Sequence, residues 1–88
     1  MKLIVAIVRD EDNAVVADAL VKQNFRVTRI ASTGGFFRRG STTLMIGVDD
    51  ENVDEAVEII RENSGPVNEP GVKRATLFVL NVAQFQQV

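Results

Sequence analysis

The sequence contains no cysteine and no histidine. Their joint absence excludes disulfides, cysteine nucleophiles, thiolate or imidazole metal sites and serine–histidine relays. A chain without cysteine suits the cytoplasm, where the protein is expected to act. Excess positive charge is also missing: 10 Lys and Arg against 12 Asp and Glu give −2 at pH 7. Nucleic-acid binders are usually basic, so nucleic acid is not an expected partner. No apolar run approaches the roughly 20 residues of a membrane span, so no membrane partner is expected. The opening MKLIVAIV runs straight into Arg9-Asp10-Glu11-Asp12 and reads as a strand rather than a signal peptide. The 88 residues are expected to form one domain over 1–88. A domain of that size buries only about 60–65% of its unfolded surface, which makes oligomerisation a natural further source of stability.

What is present changes period in a regular order. Leu3 to Val8 is a continuous β-branched run, the pattern of a strand covered on both faces. Asp10, Asp12 and Asn13 supply helix-start residues, and Val16, Ala19 and Leu20 place an apolar stripe on the helix behind them. Phe25 to Ser32 and Thr42 to Val48 read as two further strands. Asp49 and Asp50 are expected to cap a second helix, whose Val53, Ala56, Val57 and Ile60 fall on one face. Ser64-Gly65-Pro66 stops that helix, and Ala75 to Val82 reads as the last strand. The order β-α-β-β-α-β predicts an α+β, ferredoxin-like fold with an antiparallel sheet.

Both helices of such a fold cover one sheet face and leave the other open. Yet the first strand is apolar on both sides, with Leu3, Val5 and Ile7 opposed to Ile4, Ala6 and Val8. The last strand repeats the pattern through Leu77, Val79, Phe78, Leu80 and Val82. A contiguous apolar patch on the open face would be unusual in a soluble monomer, so a homo-oligomer is expected.

Chemistry gathers on the open side. Phe25 and Val27 point to the core, which turns Asn24, Arg26 and Thr28 the other way. Gly47 shares that face on the third strand, and a glycine inside a strand often marks close approach by a ligand or another backbone. Between them lies TGGFFRRGSTT, residues 33 to 43. Its Thr33-Gly34-Gly35 can form an anion nest, Phe36 and Phe37 offer stacking faces for a base, and Arg26, Arg38 and Arg39 offer charge-assisted donors to phosphate. This combination points to a small phosphorylated nucleotide, although neither GxxxxGK[ST] nor GxGxxG is present. The acidic residues at the helix starts read as caps and macrodipole partners rather than a catalytic or Mg²⁺ pair, and no enzyme or metal site is expected. Lys73 and Arg74 read as a solvated basic turn, with phosphate contact as the alternative.

MKLIVAIV, ADALV, the block NFRVTRIASTGGFFRRGSTTLMIGVDDENVDE and the closing ATLFVLNVAQFQ resemble the PII-like cyclic di-AMP receptors, small cytoplasmic signalling proteins of bacteria. The resemblance covers nearly the whole chain apart from residues 64 to 74. It implies a homotrimer that binds cyclic di-AMP in the clefts between subunits and signals to a downstream protein, without cofactor or catalysis. It places Asn24, Arg26 and Thr28 against one phosphate–adenine half, and Gly35, Phe36 and Phe37 against the other adenine. Gly47 would let the ligand approach, and Gln87 would reach it from the C-terminal tail. Ser41 stands where the family usually has asparagine, and Phe37 where leucine is usual. By the resemblance, relatives typically carry a much longer loop between the second helix and the last strand than residues 63 to 74 provide here. Two readings follow: a cyclic di-AMP sensor, or an interaction trimer that has lost that ligand or takes another adenine nucleotide such as ATP or ADP.

Overall fold

The computed structural model describes residues 1–30, 40–66 and 73–88. Strand β1 (Lys2–Arg9) leads into helix α1 (Asp10–Lys22), then β2 (Arg26–Ile30) and β3 (Ser41–Val48). A 3-10 turn at Asp50–Asn52 precedes helix α2 (Val53–Asn63), and β4 (Ala75–Asn81) completes the sheet. The strands lie in the order β2-β3-β1-β4 with every neighbouring pair antiparallel. This is the expected α+β, ferredoxin-like arrangement.

The period-two phase read from β1 holds in three dimensions. Ile4, Ala6 and Val8 are buried with Leu44, Ile46 and Val48 of β3 under Val16 and Leu20 of α1 and Ala56 and Ile60 of α2. Each large apolar side chain buried this way contributes about 1.5–3 kcal/mol. On the other face, Leu3, Val5 and Ile7 are only half-buried, and Phe78 and Leu80 of β4 are exposed. The row Leu3↔Leu80, Val5↔Phe78 sets apolar side chains side by side across that open surface.

Helix α1 ends for an identifiable reason. Asn24 has φ 67°, a left-handed conformation that asparagine tolerates better than most residues. The Phe25 amide donates to Leu20 and the Asn24 amide to Val21, at 3.1 and 2.9 Å, the double bond of a Schellman cap. Phe25 then packs on the core that contains Leu20, which fixes the direction in which β2 departs.

The helix starts differ from the sequence expectation. Neither α1 nor α2 has a side-chain cap, and the N-cap position of α1 is Arg9. The acidic residues make tertiary contacts instead. Asp10 accepts a hydrogen bond from the Thr42 hydroxyl. Asp12, only 7% exposed, receives Arg9 Nε at 2.7 Å and the Gly65 amide at 3.0 Å. Arg9 also donates to the carbonyls of Gly65 and Pro66, at 2.7 and 3.1 Å. One ion pair thus ties β1, α1 and the segment after α2. A Cβ on Gly65 would lie 3.1 Å from both Arg9 and Asp12, so glycine is what lets the chain approach the pair.

Asp50 meets the N-terminal amine at 3.0 Å. The hydrogen bond from that amine, aided by its charge and by Lys2, holds the exposed carboxyl below the usual carboxylate range. Because the folded value is depressed, the stabilisation is present above the unfolded value of roughly 4 and is lost as pH falls through the folded one. Carboxyl NMR is expected to show Asp50 titrating below the same residue in an unfolded peptide. Acetylating the amino terminus should remove most of that difference; an unchanged titration would contradict the pairing.

Candidate functional site

The register of the sheet assembles the candidate site. Arg26 of β2 is the direct partner of Gly47, and Gly47 is the direct partner of Leu3. Thr28 lies opposite Met45, one step further along the same face. The C-terminal tail crosses this row because the Val82 amide donates to the Met1 carbonyl at 3.2 Å. Arg26, Thr28, Gly47 and Gln87 consequently line one cavity of about 570 Å³. Its remaining walls are Met1, Leu3, Met45, Val82 and Phe85. The volume falls within the roughly 300–1,000 Å³ of small-molecule sites, and apolar walls with a few polar groups are their usual composition.

The cavity can do two things chemically. Arg26 offers a planar fork of donors suited to a phosphate, and Thr28 and Gln87 add neutral hydrogen-bonding groups. Leu3, Met45, Val82 and Phe85 offer apolar contact for a base. Gly47 is informative in another way. A Cβ there would meet only the terminal methyl of Met1, 3.1 Å away at the free end of a flexible side chain. Packing within the described residues therefore makes little demand for glycine at 47, which agrees with an approach from outside. On the same strand, the buried Thr43 hydroxyl has no hydrogen-bond partner among the described residues.

Other expected residues fall elsewhere. Asn24 lines an adjoining hollow of about 260 Å³ with Arg26 and Gly47, and its backbone closes α1. Ser41 pairs with Arg9 at the opposite end of β3 from Gly47. Six steps along the strand put about 20 Å between the two, too far for one compact site within a subunit. Gly35, Phe36 and Phe37 lie outside the described residues, as do Arg38 and Arg39. Sequence reasoning did not single out Met1, Leu3 or Val82 as site walls. Only the pairing of β1 with both β3 and β4 brings them to the cavity, and no local signal carries that.

No group of three or more acidic residues that could hold a metal occurs among the described residues. Nor is any helix among them long and apolar enough to cross a membrane.

The fold and much of the sequence are shared with known proteins. The crystal structure of a functionally unknown protein from Pediococcus pentosaceus ATCC 25745 superposes with a TM-score of 0.80 at 40% identity, covering 99% of this chain and 96% of that one. The family model described as the cyclic-di-AMP receptor matches residues 1–70, a stretch that includes Arg26, Thr28 and Gly47. With most of its length matched in this way, the chain belongs to the cyclic-di-AMP receptor family.

Proposed function

We propose that the protein is a non-catalytic cytoplasmic sensor that binds cyclic di-AMP, or a related adenine nucleotide, in clefts between the subunits of a homotrimer. The observation that carries this reading is the convergence of Arg26, Thr28, Gly47 and Gln87 on one cavity of the open sheet face. The exposed Phe78 and Leu80 beside it supply an apolar surface for subunit contact. The distance between Ser41 and Gly47 supports a shared cleft. Ser41 serves a site formed with a neighbouring copy, while the Arg26 row serves the site on its own subunit.

Phe36 and Phe37 complete the ligand's surroundings from the glycine-rich segment, which takes up a different conformation when the nucleotide is bound. That change is the signal read by a downstream protein. Stacking is worth roughly 1–3 kcal/mol per base, and a charge-assisted hydrogen bond roughly 1.5–3 kcal/mol. Two stacked bases and a few phosphate contacts can offset the association cost and reach micromolar affinity, near −8 kcal/mol.

Titration calorimetry with cyclic di-AMP, ATP, ADP and AMP, combined with light scattering, tests the reading. The expected result is a trimer that binds cyclic di-AMP at about micromolar Kd or tighter, and more tightly than the mononucleotides. No heat from any nucleotide with an intact trimer would replace the sensor by an interaction trimer. Serine at position 41 is the residue that favours this second outcome. A stable monomer would remove the inter-subunit cleft.

A further inference from the structure

A second concavity lies on the helical side of the sheet, between α2 and the start of β4, and encloses about 400 Å³. Val57 and Ile60 of α2 and Leu77 of β4 line it with apolar surface. Arg61, Lys73 and Arg74 line it with positive charge. Three of the chain's 10 basic residues therefore border one cleft in a protein of net charge −2. All three are exposed. Arg61 gives one guanidinium nitrogen to Glu58, which leaves the rest of its donor fork available.

The adjacent strand suggests the shape of an occupant. β4 is the last strand in the sheet order, so among the described residues its outer backbone groups pair with no strand. Unpaired edges accept extended segments, with main-chain hydrogen bonds supplying affinity and neighbouring pockets supplying specificity. Apolar walls accept alternate side chains of such a segment, and the basic groups select carboxylates among the others.

We propose that this cleft docks an extended, acidic segment of a partner protein, in which carboxylates alternate with apolar side chains. The surface lies on the other side of the sheet from the Arg26 cavity, so the proposal does not depend on nucleotide binding. Its chemistry is ionic at the rim, and rim charges act mainly on association rate and salt dependence.

The test uses a fluorescein-labelled peptide of alternating glutamate and valine, a glutamine-for-glutamate analogue, and the full chain without nucleotide. Anisotropy should show the acidic peptide binding at about 50 mM salt and weakening at about 300 mM, where the Debye length has shortened. The glutamine analogue should bind at least about tenfold more weakly. The triple variant Arg61→Glu/Lys73→Glu/Arg74→Glu should lose at least about tenfold in affinity, and the milder Lys73→Gln/Arg74→Gln a smaller part. Arg26→Ala should bind the peptide as the parent does, which separates this result from the nucleotide reading. Failure of the acidic peptide to bind, or equal binding by the charge-reversed protein, would overturn the proposal. So would competition by inorganic pyrophosphate at concentrations matching the peptide's, which would make the cleft a small-anion site. A change of oligomeric mass in the milder variant would make it a contact between copies and likewise overturn it.

Discussion

Replacing Asp12 by alanine is expected to lower the unfolding free energy by about 2–3 kcal/mol and the thermal midpoint by roughly 10–20 °C. Asp12 is 7% exposed and serves two donors, Arg9 and the Gly65 amide. Removing one member of a buried pair commonly costs about 3–5 kcal/mol, because the other charge is left without compensation. Here the Arg9 side chain is 22% exposed and keeps its bonds to the Gly65 and Pro66 carbonyls, which lowers the expected cost. The Gly65 amide is part-buried, so losing its acceptor costs toward the low end of the about 1–3 kcal/mol of an orphaned buried donor. Asp12→Asn retains an acceptor for that amide while discarding the charge, and should fall between the parent and Asp12→Ala. Urea unfolding of the three proteins decides the matter. A change below about 0.5 kcal/mol in Asp12→Ala would mean that the tie between β1, α1 and Gly65 is energetically idle.

Arg26→Ala is expected to weaken cyclic di-AMP binding about 10- to 100-fold, the equivalent of one charge-assisted contact at about 1.5–3 kcal/mol. The residue suits the experiment because it is exposed on the open face and forms no ion pair among the described residues; its backbone, not its side chain, forms the pairing with Gly47. Stability should therefore change by no more than about 0.5 kcal/mol. Arg26→Lys keeps the charge but loses the planar fork, so an intermediate affinity is expected. Phe36→Ala should cost about 1–3 kcal/mol if a base stacks there. Calorimetry that finds both Arg26→Ala and Phe36→Ala indistinguishable from the parent would remove the proposed site.

The fold was legible because its signals are local. Alternation in β1 and β3, the apolar face of α2 and the Gly65-Pro66 stop are each readable within a few residues, and together they give the element order. The phase of Arg26 and Thr28 was equally plain, since Phe25 and Val27 had to face the core. The helix starts misled because an aspartate before an apolar stripe looks the same whether it caps or reaches elsewhere. Asp10 was drawn to Thr42, and Asp12 to Gly65 as well as to neighbouring Arg9; Thr42 and Gly65 lie far away in sequence. Asn24 was legible as a polar group near the site, but its left-handed backbone, which ends α1, was not foreseen. The cavity walls Met1, Leu3 and Val82 depend on register across three strands, and register is a property of the assembled sheet.

The strand order has a consequence for how the molecule forms. β1 lies between β3 and β4, and its pairing joins Lys2 to Val48 on one side and to Asn81 on the other. The most apolar strand therefore has no sequence-adjacent hairpin partner and must wait for segments made much later. Closing such long loops costs entropy before any contact rewards it, so folding is expected in the slower range of small α/β domains. During synthesis Leu3 to Val8 remains exposed until β3 has emerged, and its second edge until β4 has followed. That interval, rather than the finished sheet, is when the chain is most open to pairing with the wrong neighbour.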